Sequence, residues 1–259
     1  MWPFDRKRDV LRVGRLSVEL WRSQPEGLVR AHAVAIGSRD DLSAGLKALL
    51  ETQSESRTSL DVVVESAWLP VVLLETGHEV WAQDAVEGLL RYRLARVYDE
   101  RDDAVASWEL RFDHQPGERF GVGYGLSPRV RAAVDEACAE VGFTVASLQP
   151  ALQWGMRRSS PQSGWFVWLE HDRAIVAFLE KGQVTAMQPA AELPGNPAHL
   201  TKMLRLEQLR AGIGSAPVSV ALAGWDAPSS LQAAAGVNWH GVAAGPGVLT
   251  TTVPAGTAA

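Results

Sequence analysis

The sequence predicts an α/β protein built on a mixed sheet. Segments with the alternating or continuous apolar residues of strands are interspersed with segments whose apolar residues recur at helical spacing. Interspersed strands and helices favour helical layers packed on a sheet. Hairpins near the start of the chain add antiparallel pairs, so the sheet is not purely parallel.

Composition narrows the classes of function. Of the 259 residues, 46% are apolar and 21% are charged, which is the balance of an ordinary globular protein. The net charge of -5 argues against a nucleic-acid-binding protein, which usually has a basic face. The single cysteine, Cys138, excludes an internal disulfide and a zinc site built from cysteines. A reducing cytoplasm is therefore the expected setting.

The N-terminal part of the chain predicts a hairpin, a helix, a β-branched run and a second helix. Alternating apolar residues indicate the hairpin, and Pro70 breaks the β-branched run into two strands or a kinked edge strand. Leucines at helical spacing after an Asp-rich start indicate the first helix, and a long periodic segment indicates the second. In order, these elements are residues 15–22 with 28–37, 38–52, 60–75 and 79–100.

The rest of the chain predicts a hairpin, further strands and two capped helices. Ser127 as N-cap, Pro128 in the first turn and Gly142 as C-terminal cap indicate one helix. Asn196 as cap before Pro197 indicates the other. The elements are a hairpin at 107–125 turning at 115–117, a helix at 127–142, a strand at 143–148, a short helix at 149–158, two or three strands at 164–190, a helix at 196–212 and a strand at 217–224.

Two lobes and a tail are expected. The polar break at 159–163 gives a first lobe at 1–158 and a reduced second lobe at 159–224. Residues 225–259 have one charged residue, Asp226, and are dominated by small residues, so a flexible tail is predicted. The start of the chain lacks the apolar core of a signal peptide, and no apolar run approaches the ~20 residues that span a bilayer.

Glycines at 120–127 precede a helix, as they do in phosphate-binding loops. A helix N-terminus offers free N–H groups to an anion. However, the segment lacks Gly-Lys-Ser/Thr and the G-x-G-x-x-G spacing, and its apolar residues alternate with glycine. This alternation favours a strand over a phosphate loop.

Five acidic residues on or beside predicted strands are candidates for a metal site. A two-metal nuclease needs carboxylates that converge from neighbouring strands, because two cations share anionic oxygens. Nothing in the sequence indicates convergence, so solvated turn residues are the preferred interpretation. The candidates are Asp61, Glu65, Asp113, Glu170 and Asp172.

No motif for nucleophilic catalysis is present. The sequence has no G-x-S-x-G elbow, and its histidines lack H-x-x-x-H spacing. Cys138 falls on the apolar face of the predicted helix at 127–142, so we expect a buried, unreactive thiol.

Basic clusters are candidates for docking a partner. A solvated helix face is the ordinary explanation of such clusters, and a docking surface for an acidic partner segment is the alternative. The candidates are Arg91, Arg93 and Arg96 on one helix, with Arg157 and Arg158 near the lobe boundary.

The order and spacing of these elements resemble a known family. The strand pair at 60–75, the helix "RVRAAVDEACAEVG" before "SLQPAL", and the hairpin "WFVWLEHDRAIVAF" carry the resemblance. They are similar to the actin-like (ribonuclease H-like) cytoplasmic proteins of bacterial type IV pilus biogenesis and type II secretion, the PilM and GspL type. The resemblance covers roughly residues 10–222. It implies a mixed-sheet, ribonuclease H-like/actin-like fold with two lobes, the second reduced.

The resemblance also bears on nucleotide binding. PilM-like members bind ATP between lobes, through loops in which a strand aspartate precedes glycine. The first strand here, "VGRLSVELW", has no Asp-Gly, and Asp172 is followed by Arg173, whose side chain fills space that a phosphate would need. Both loops therefore look lost, no cofactor is expected, and Asp172 alone keeps nucleotide or metal binding open.

These observations favour a non-catalytic cytoplasmic scaffold of a pilus or secretion machine. Its expected partners are other machine components, including an inner-membrane protein that would bring it to the inner face of the membrane; no nucleic acid is expected. An ATP-binding actin-like pilus accessory protein is the first alternative. A metal-dependent ribonuclease H-like nuclease using Glu170, Asp172 and Asp113 is the second.

Overall fold

The computed structural model describes most of the chain as strands and helices in two compact units, Met1–Trp154 and Gly155–Ala259. The described residues are 8–25, 27–53, 59–77, 82–114, 118–159, 162–190, 192–213, 219–225, 231, 238–241 and 251–252. The expected α/β class with mixed sheets is confirmed. The lobe boundary expected after residue 158 lies close to this division and stays a prediction.

The first unit contains eight of the described strands and four of the described helices. The strands are β1 (Asp9–Val13), β2 (Ser17–Gln24), β3 (Gly27–Ala35), β4 (Ser59–Val64), β5 (Val71–Glu75), β6 (Glu109–Asp113), β7 (Phe120–Leu126) and β8 (Thr144–Pro150). The helices are α1 (Leu42–Glu51), α2 (Gln83–Val97), α3 (Asp102–Ala106) and α4 (Pro128–Val141).

The second unit is shorter. Helix α5 (Ala151–Ser159) crosses the division between the units. It is followed by β9 (Gly164–Leu169), β10 (Ala174–Glu180), β11 (Gln183–Ala190), α6 (Pro197–Arg210), β12 (Ser219–Gly224), β13 (Asn238–Gly241) and β14 (Thr251–Thr252). None of the helices in the described ranges is long and apolar enough to cross a membrane.

The main sheet of the first unit has the order β3–β2–β1–β4–β8. The pairs β2–β3 and β1–β2 are antiparallel, whereas β1–β4 and β4–β8 are parallel. Leucines of α1 and apolar residues of α4 pack on one face of this sheet in a common core. The caps predicted for α4 are confirmed, since the Ser127 hydroxyl accepts the N–H of Val130 and Gly142 has a positive φ of 83°.

A separate three-stranded sheet, β5–β7–β6, packs against α2. The glycines of β7 face this helix and the side chains of β6. A Cβ at Gly121 would overlap Phe112, and a Cβ at Gly123 would overlap Leu90. The segment at 120–127 is therefore a strand, as its alternation predicts, and its glycines permit a close helix–sheet approach. The predicted turn at 115–117 lies outside the described residues.

The sheet of the second unit repeats the same strand pattern. Its order is β11–β10–β9–β12–β13, with antiparallel pairs β9–β10 and β10–β11 and parallel pairs β9–β12 and β12–β13. The turn between β10 and β11 consists of Lys181 and Gly182, both with positive φ, as a tight hairpin requires. The predicted hairpin and the Asn196 cap of α6 are confirmed.

The structure differs from the sequence-based expectation at three places. Strand β1 and helix α3 were not predicted. In the segment expected to be a flexible tail, β13 pairs in parallel with β12 and β14 pairs antiparallel with it, because backbone groups of β12 remain available there. Most other residues of 225–259 lie outside the described residues.

Candidate functional site

The turn between β1 and β2 is the candidate site, because the resemblance to nucleotide-binding proteins predicts a phosphate loop there. The N–H of Gly14 donates to the carbonyl oxygen of Ser17 at 2.9 Å, and the Trp68 indole donates to the carbonyl oxygen of Gly14 at 2.8 Å. A Cβ on Gly14 would lie 3.0 Å from the Ser17 oxygen and 3.2 Å from the Glu65 carboxylate. The turn therefore has little room for a larger residue.

Three buried charges lie beside this turn and form what we call the turn cluster: Arg12, Glu19 and Glu65. The Nε of Arg12 donates to Oε1 of Glu65 at 2.8 Å, and its Nη1 donates to Oε2 of Glu19 at 3.0 Å. The exposed fractions are 3% for Arg12, 4% for Glu19 and 0% for Glu65. Buried charges persist when they are paired and hydrogen-bonded, as here.

Further donors complete the turn cluster. The indole of Trp21 donates to Oε2 of Glu19 at 3.0 Å, and the Ser17 hydroxyl donates to Oε1 of Glu19 at 3.1 Å. Burial by itself lowers the pKa of Arg12, but the carboxylates of Glu65 and Glu19 outweigh it, so the net pKa is raised. Arg12 therefore stays charged, and Glu19 has a second cation in half-exposed Arg30 at 3.7 Å.

The Glu65 carboxylate also occupies a backbone donor of the turn. The N–H of Arg15 donates to Oε2 of Glu65 at 3.2 Å. In a phosphate loop, such backbone N–H groups are the donors that face an anion. Here the anion is a side chain of the protein, and the charged side chain that reaches it from β1 is a cation, Arg12.

Arg12 and Glu19 were not among the expected site residues, because β1 was not predicted. A usable signal was present, since a turn at 14–16 places Arg12 directly opposite Glu19 in the hairpin. Opposite charges at directly opposed positions stabilise antiparallel pairs. Glu65 had been considered only as a metal ligand, and its contact depends on the parallel pairing of β1 with β4.

The corresponding turn of the second unit, between β9 and β10, has a different structure. The N–H of Glu170 donates to the carbonyl oxygen of Arg173 at 2.9 Å, closing the turn, and the Glu170 side chain is buried. Asp172 contacts Arg173 at 3.4 Å, with side-chain exposures of 29% and 25%. Asp172 thus lies in the polar tip of a hairpin, and its role in binding nucleotide or metal stays a prediction.

The five candidate metal ligands do not converge on a common site among the described residues. Asp61 accepts from Ser147 at 2.7 Å, and Asp113 accepts from Gln153 at 3.0 Å. Glu65 belongs to the turn cluster. Across the ranges that the structure describes, no three His, Cys, Asp or Glu side chains are grouped so that they could hold a metal ion.

The structure places the five docking candidates on two helices. Arg93 and Arg96 are exposed on α2, and the Arg96 guanidinium lies 5.4 Å from the ring centroid of Tyr92, which is 55% exposed. Arg91 is half-buried and contacts Glu87 at 3.4 Å, so it does not share that exposed surface. The remaining candidates, Arg157 and Arg158, are exposed in the last turn of α5.

Cys138 offers no reactive group to a site. It lies in the α1–α4 core with 2% exposure, and burial raises the pKa of its thiol to about 11. The expectation of a buried thiol is confirmed.

Several solved structures have folds similar to the fold of this chain. A protein with an actin-like ATPase fold and unknown function from Bacteroides thetaiotaomicron aligns with a TM-score of 0.54 and 11% identity, covering 88% of this chain and 86% of that one. The cytoplasmic domain of EpsL, an inner membrane component of the Vibrio cholerae type II secretion system, aligns with a TM-score of 0.52 and 14% identity, covering 84% and 81%. A chain of the PilM–PilN type IV pilus biogenesis complex aligns with a TM-score of 0.52 and 15% identity, again covering 84% and 81%.

Sequence comparison adds no closer relationship. No family model and no curated protein matches this chain. The likeness therefore rests on the three-dimensional arrangement, in which two sheets have the same strand order. The chain has the actin-like fold, as the resemblance in its sequence predicts.

Proposed function

We propose that this chain is a non-catalytic assembly protein of a bacterial pilus or secretion machine, with degenerate nucleotide-binding loops. One observation carries the proposal. The Glu65 carboxylate accepts the Arg15 backbone N–H in the β1–β2 turn and is held there by buried Arg12.

The turn cluster opposes a phosphate for two reasons. A phosphate at the Arg15 amide would lie against the Glu65 carboxylate, and like charges at this distance repel. Moving Glu65 away would remove one of the two buried carboxylates that pair with Arg12, which is costly. A magnesium ion at the turn would lie beside the Arg12 guanidinium, and two cations repel each other. The cluster thus supports a scaffold over an ATP-binding accessory protein.

The structural neighbours support the choice of machine. One is a domain of an inner membrane component of type II secretion, and another comes from a pilus biogenesis complex. By analogy, we infer that this chain works in the cytoplasm and meets an inner-membrane protein at the inner face of the membrane. Arg93 and Arg96 are the preferred docking residues, followed by Arg157 and Arg158. Arg91 is the least favoured of the five, because it is half-buried and contacts Glu87.

Nucleotide binding is tested by thermal unfolding of the purified chain with millimolar Mg-ATP or Mg-ADP. A ligand at a hundred times its Kd adds about 2.7 kcal/mol to stability, so binding would raise the Tm clearly. We expect no rise with either nucleotide. A rise of several degrees, together with retention of labelled ATP in equilibrium dialysis, would favour the ATP-binding alternative.

The assembly role is tested in the host. Deletion of the gene is expected to abolish pilus assembly or secretion, and the Arg93→Glu/Arg96→Glu variant is expected to weaken it while remaining folded. Arg129→Glu/Arg131→Glu is a control with the same change in net charge. A deletion strain with normal pili and normal secretion would contradict the proposal.

A further inference from the structure

Helix α6 presents an unusual face to solvent. Two of its residues, Leu200 and Leu204, are buried in the core of the second unit, at 4% and 3% exposure. On the opposite side, Leu206 is 46% exposed and Leu209 is 79% exposed. A surface helix normally places polar residues opposite its apolar stripe, so a second, outward-facing apolar pair needs an explanation.

Two cations accompany the exposed leucines. Lys202 and Arg205 lie one turn earlier on the same side of the helix, and both are exposed. No described residue forms an ion pair with either of them. The acidic residue of α6, Glu207, is turned towards the core side and contacts Arg210 at 2.6 Å. We call Lys202, Arg205, Leu206 and Leu209 the α6 outer face.

Charge restricts what can cover this face. The chain as a whole has a net charge of -5, yet the outer face has two cations and no acid. Symmetric docking of a second copy would bring the same cations together, which is unfavourable. The chain's own segment at 226–259 has a single acidic residue, Asp226, and offers no set of carboxylates to match.

We propose that the α6 outer face docks an amphipathic helix of another protein, with acidic side chains flanking an apolar seam. Leucines at i and i+3 are the spacing with which one helix anchors in the apolar seam of another. Carboxylates beside the seam pair with Lys202 and Arg205 and set the orientation of the partner helix. This inference rests on the proposed assembly role and assigns it a surface and a class of partner.

The test uses the full chain and a labelled synthetic peptide of three heptads, with leucines in the a and d positions and glutamates beside them. Fluorescence anisotropy measures binding at about 0.15 M salt, where the Debye length is about 8 Å. We expect saturable binding, loss of at least about tenfold in affinity for Lys202→Glu/Arg205→Glu, and a similar loss for Leu206→Gln/Leu209→Gln. All substituted positions are exposed, so unchanged Tm values are expected.

Exchanging the charges of the peptide and of α6 distinguishes specific ion pairs from a general electrostatic attraction. A peptide with lysines in place of the glutamates is expected to bind Lys202→Glu/Arg205→Glu better than the unaltered chain. Arg129→Glu/Arg131→Glu on α4 makes the same charge change at two exposed positions outside the docking candidates, so it is the matched control and should bind the acidic peptide as the unaltered chain does.

Several outcomes would overturn the proposal. They are the absence of peptide binding, equal loss in the α4 control, tighter binding to phosphatidylglycerol vesicles than to the peptide, or a dimer in sedimentation that the α6 substitutions dissociate. None of these outcomes depends on nucleotide. Failure here with no response to Mg-ATP would leave the assembly role intact, whereas a response to Mg-ATP would remove it whatever α6 binds.

Discussion

Arg12 has a buried charge that pairs with two buried carboxylates at the β1–β2 turn. Its guanidinium forks between Glu65 and Glu19, a geometry that lysine cannot reproduce. The pairing keeps the Glu65 carboxylate next to the Arg15 amide. A single buried cation therefore holds a carboxylate against the backbone of the β1–β2 turn.

Removing Arg12 is expected to be severely destabilising. Arg12→Met would remove the buried guanidinium that pairs with Glu65 and Glu19, leaving Glu19 with half-exposed Arg30 at 3.7 Å, and breaking a buried pair in this way costs about 3–5 kcal/mol. Arg22→Met is the comparison, since Arg22 is 34% exposed in its pair with Asp9 and should cost no more than about 1 kcal/mol. Urea unfolding of both variants measures the difference. Equal losses in the free energy of unfolding would show that Arg12 contributes no more to stability than a partly exposed ion pair.

Cys138 gives a prediction about pH. Because the thiol pKa is raised from 9.0 to about 11 in the folded protein, the protonated form is favoured by folding. This contribution is fully present below about pH 9 and is lost as the pH rises through 11. The unaltered chain should therefore lose stability relative to Cys138→Ala over that window, by about 1.4 kcal/mol per pH unit at most. If the free energy of unfolding changes with pH equally in both proteins, the thiol pKa of Cys138 is not raised by folding.

At the scale of elements, glycines decide how closely helices pack. Gly155 of α5 lies against the indole of Trp168 in β9, and an added Cβ there would overlap the ring. Trp168 is fully buried, so its ring has no free space into which to move. The glycines of β7 have the same function against α2.

This packing reverses the usual effect of replacing glycine in a helix. Gly155→Ala should destabilise the chain by roughly 1–3 kcal/mol, because overpacking outweighs helix propensity. Gly88→Ala in α2 has no atom within 4 Å of the new Cβ and should stabilise by about 0.5–1 kcal/mol. Opposite shifts in the urea midpoint are expected. A stabilising Gly155→Ala would show that β9 and α5 are not in close contact.

At the scale of the whole molecule, the same strand order appears in both units. Three antiparallel strands continue into two parallel strands in each, and solved structures with TM-scores of 0.52 to 0.54 share the overall fold. The turns between the first two strands of each sheet differ in structure. One contains a buried ionic cluster, and the other is a polar hairpin tip at Glu170–Arg173.

The nuclease alternative gives the prediction at this scale. Since Asp113 accepts from Gln153 and Asp172 contacts Arg173, Mg²⁺ or Mn²⁺ alone should leave the Tm unchanged. The chain should not cleave an RNA–DNA hybrid with either metal. Metal-dependent cleavage that Asp172→Asn abolishes would instead establish a nuclease.

The sequence by itself determined the α/β class, the hairpins and the helix caps, because these depend on periodicity and on residues close together in the chain. Ser127, Gly142 and Asn196 act on backbone groups a few residues away, so their effect can be read locally. Local patterns also identified the glycine-rich segment at 120–127 as a strand and Cys138 as buried.

Only the tertiary structure decided the character of the candidate site. Arg12 and Glu65 are 53 residues apart and meet because β1 and β4 are parallel neighbours. From the sequence, charged residues such as Arg12 and Glu65 are expected to be exposed to solvent. Their burial becomes apparent only when the strands of the sheet are paired. The exposure of Leu209 is decided in the same way, since packing selects which of two apolar stripes of α6 faces the core. Pairing of distant strands and the choice of a buried face are properties of the folded chain.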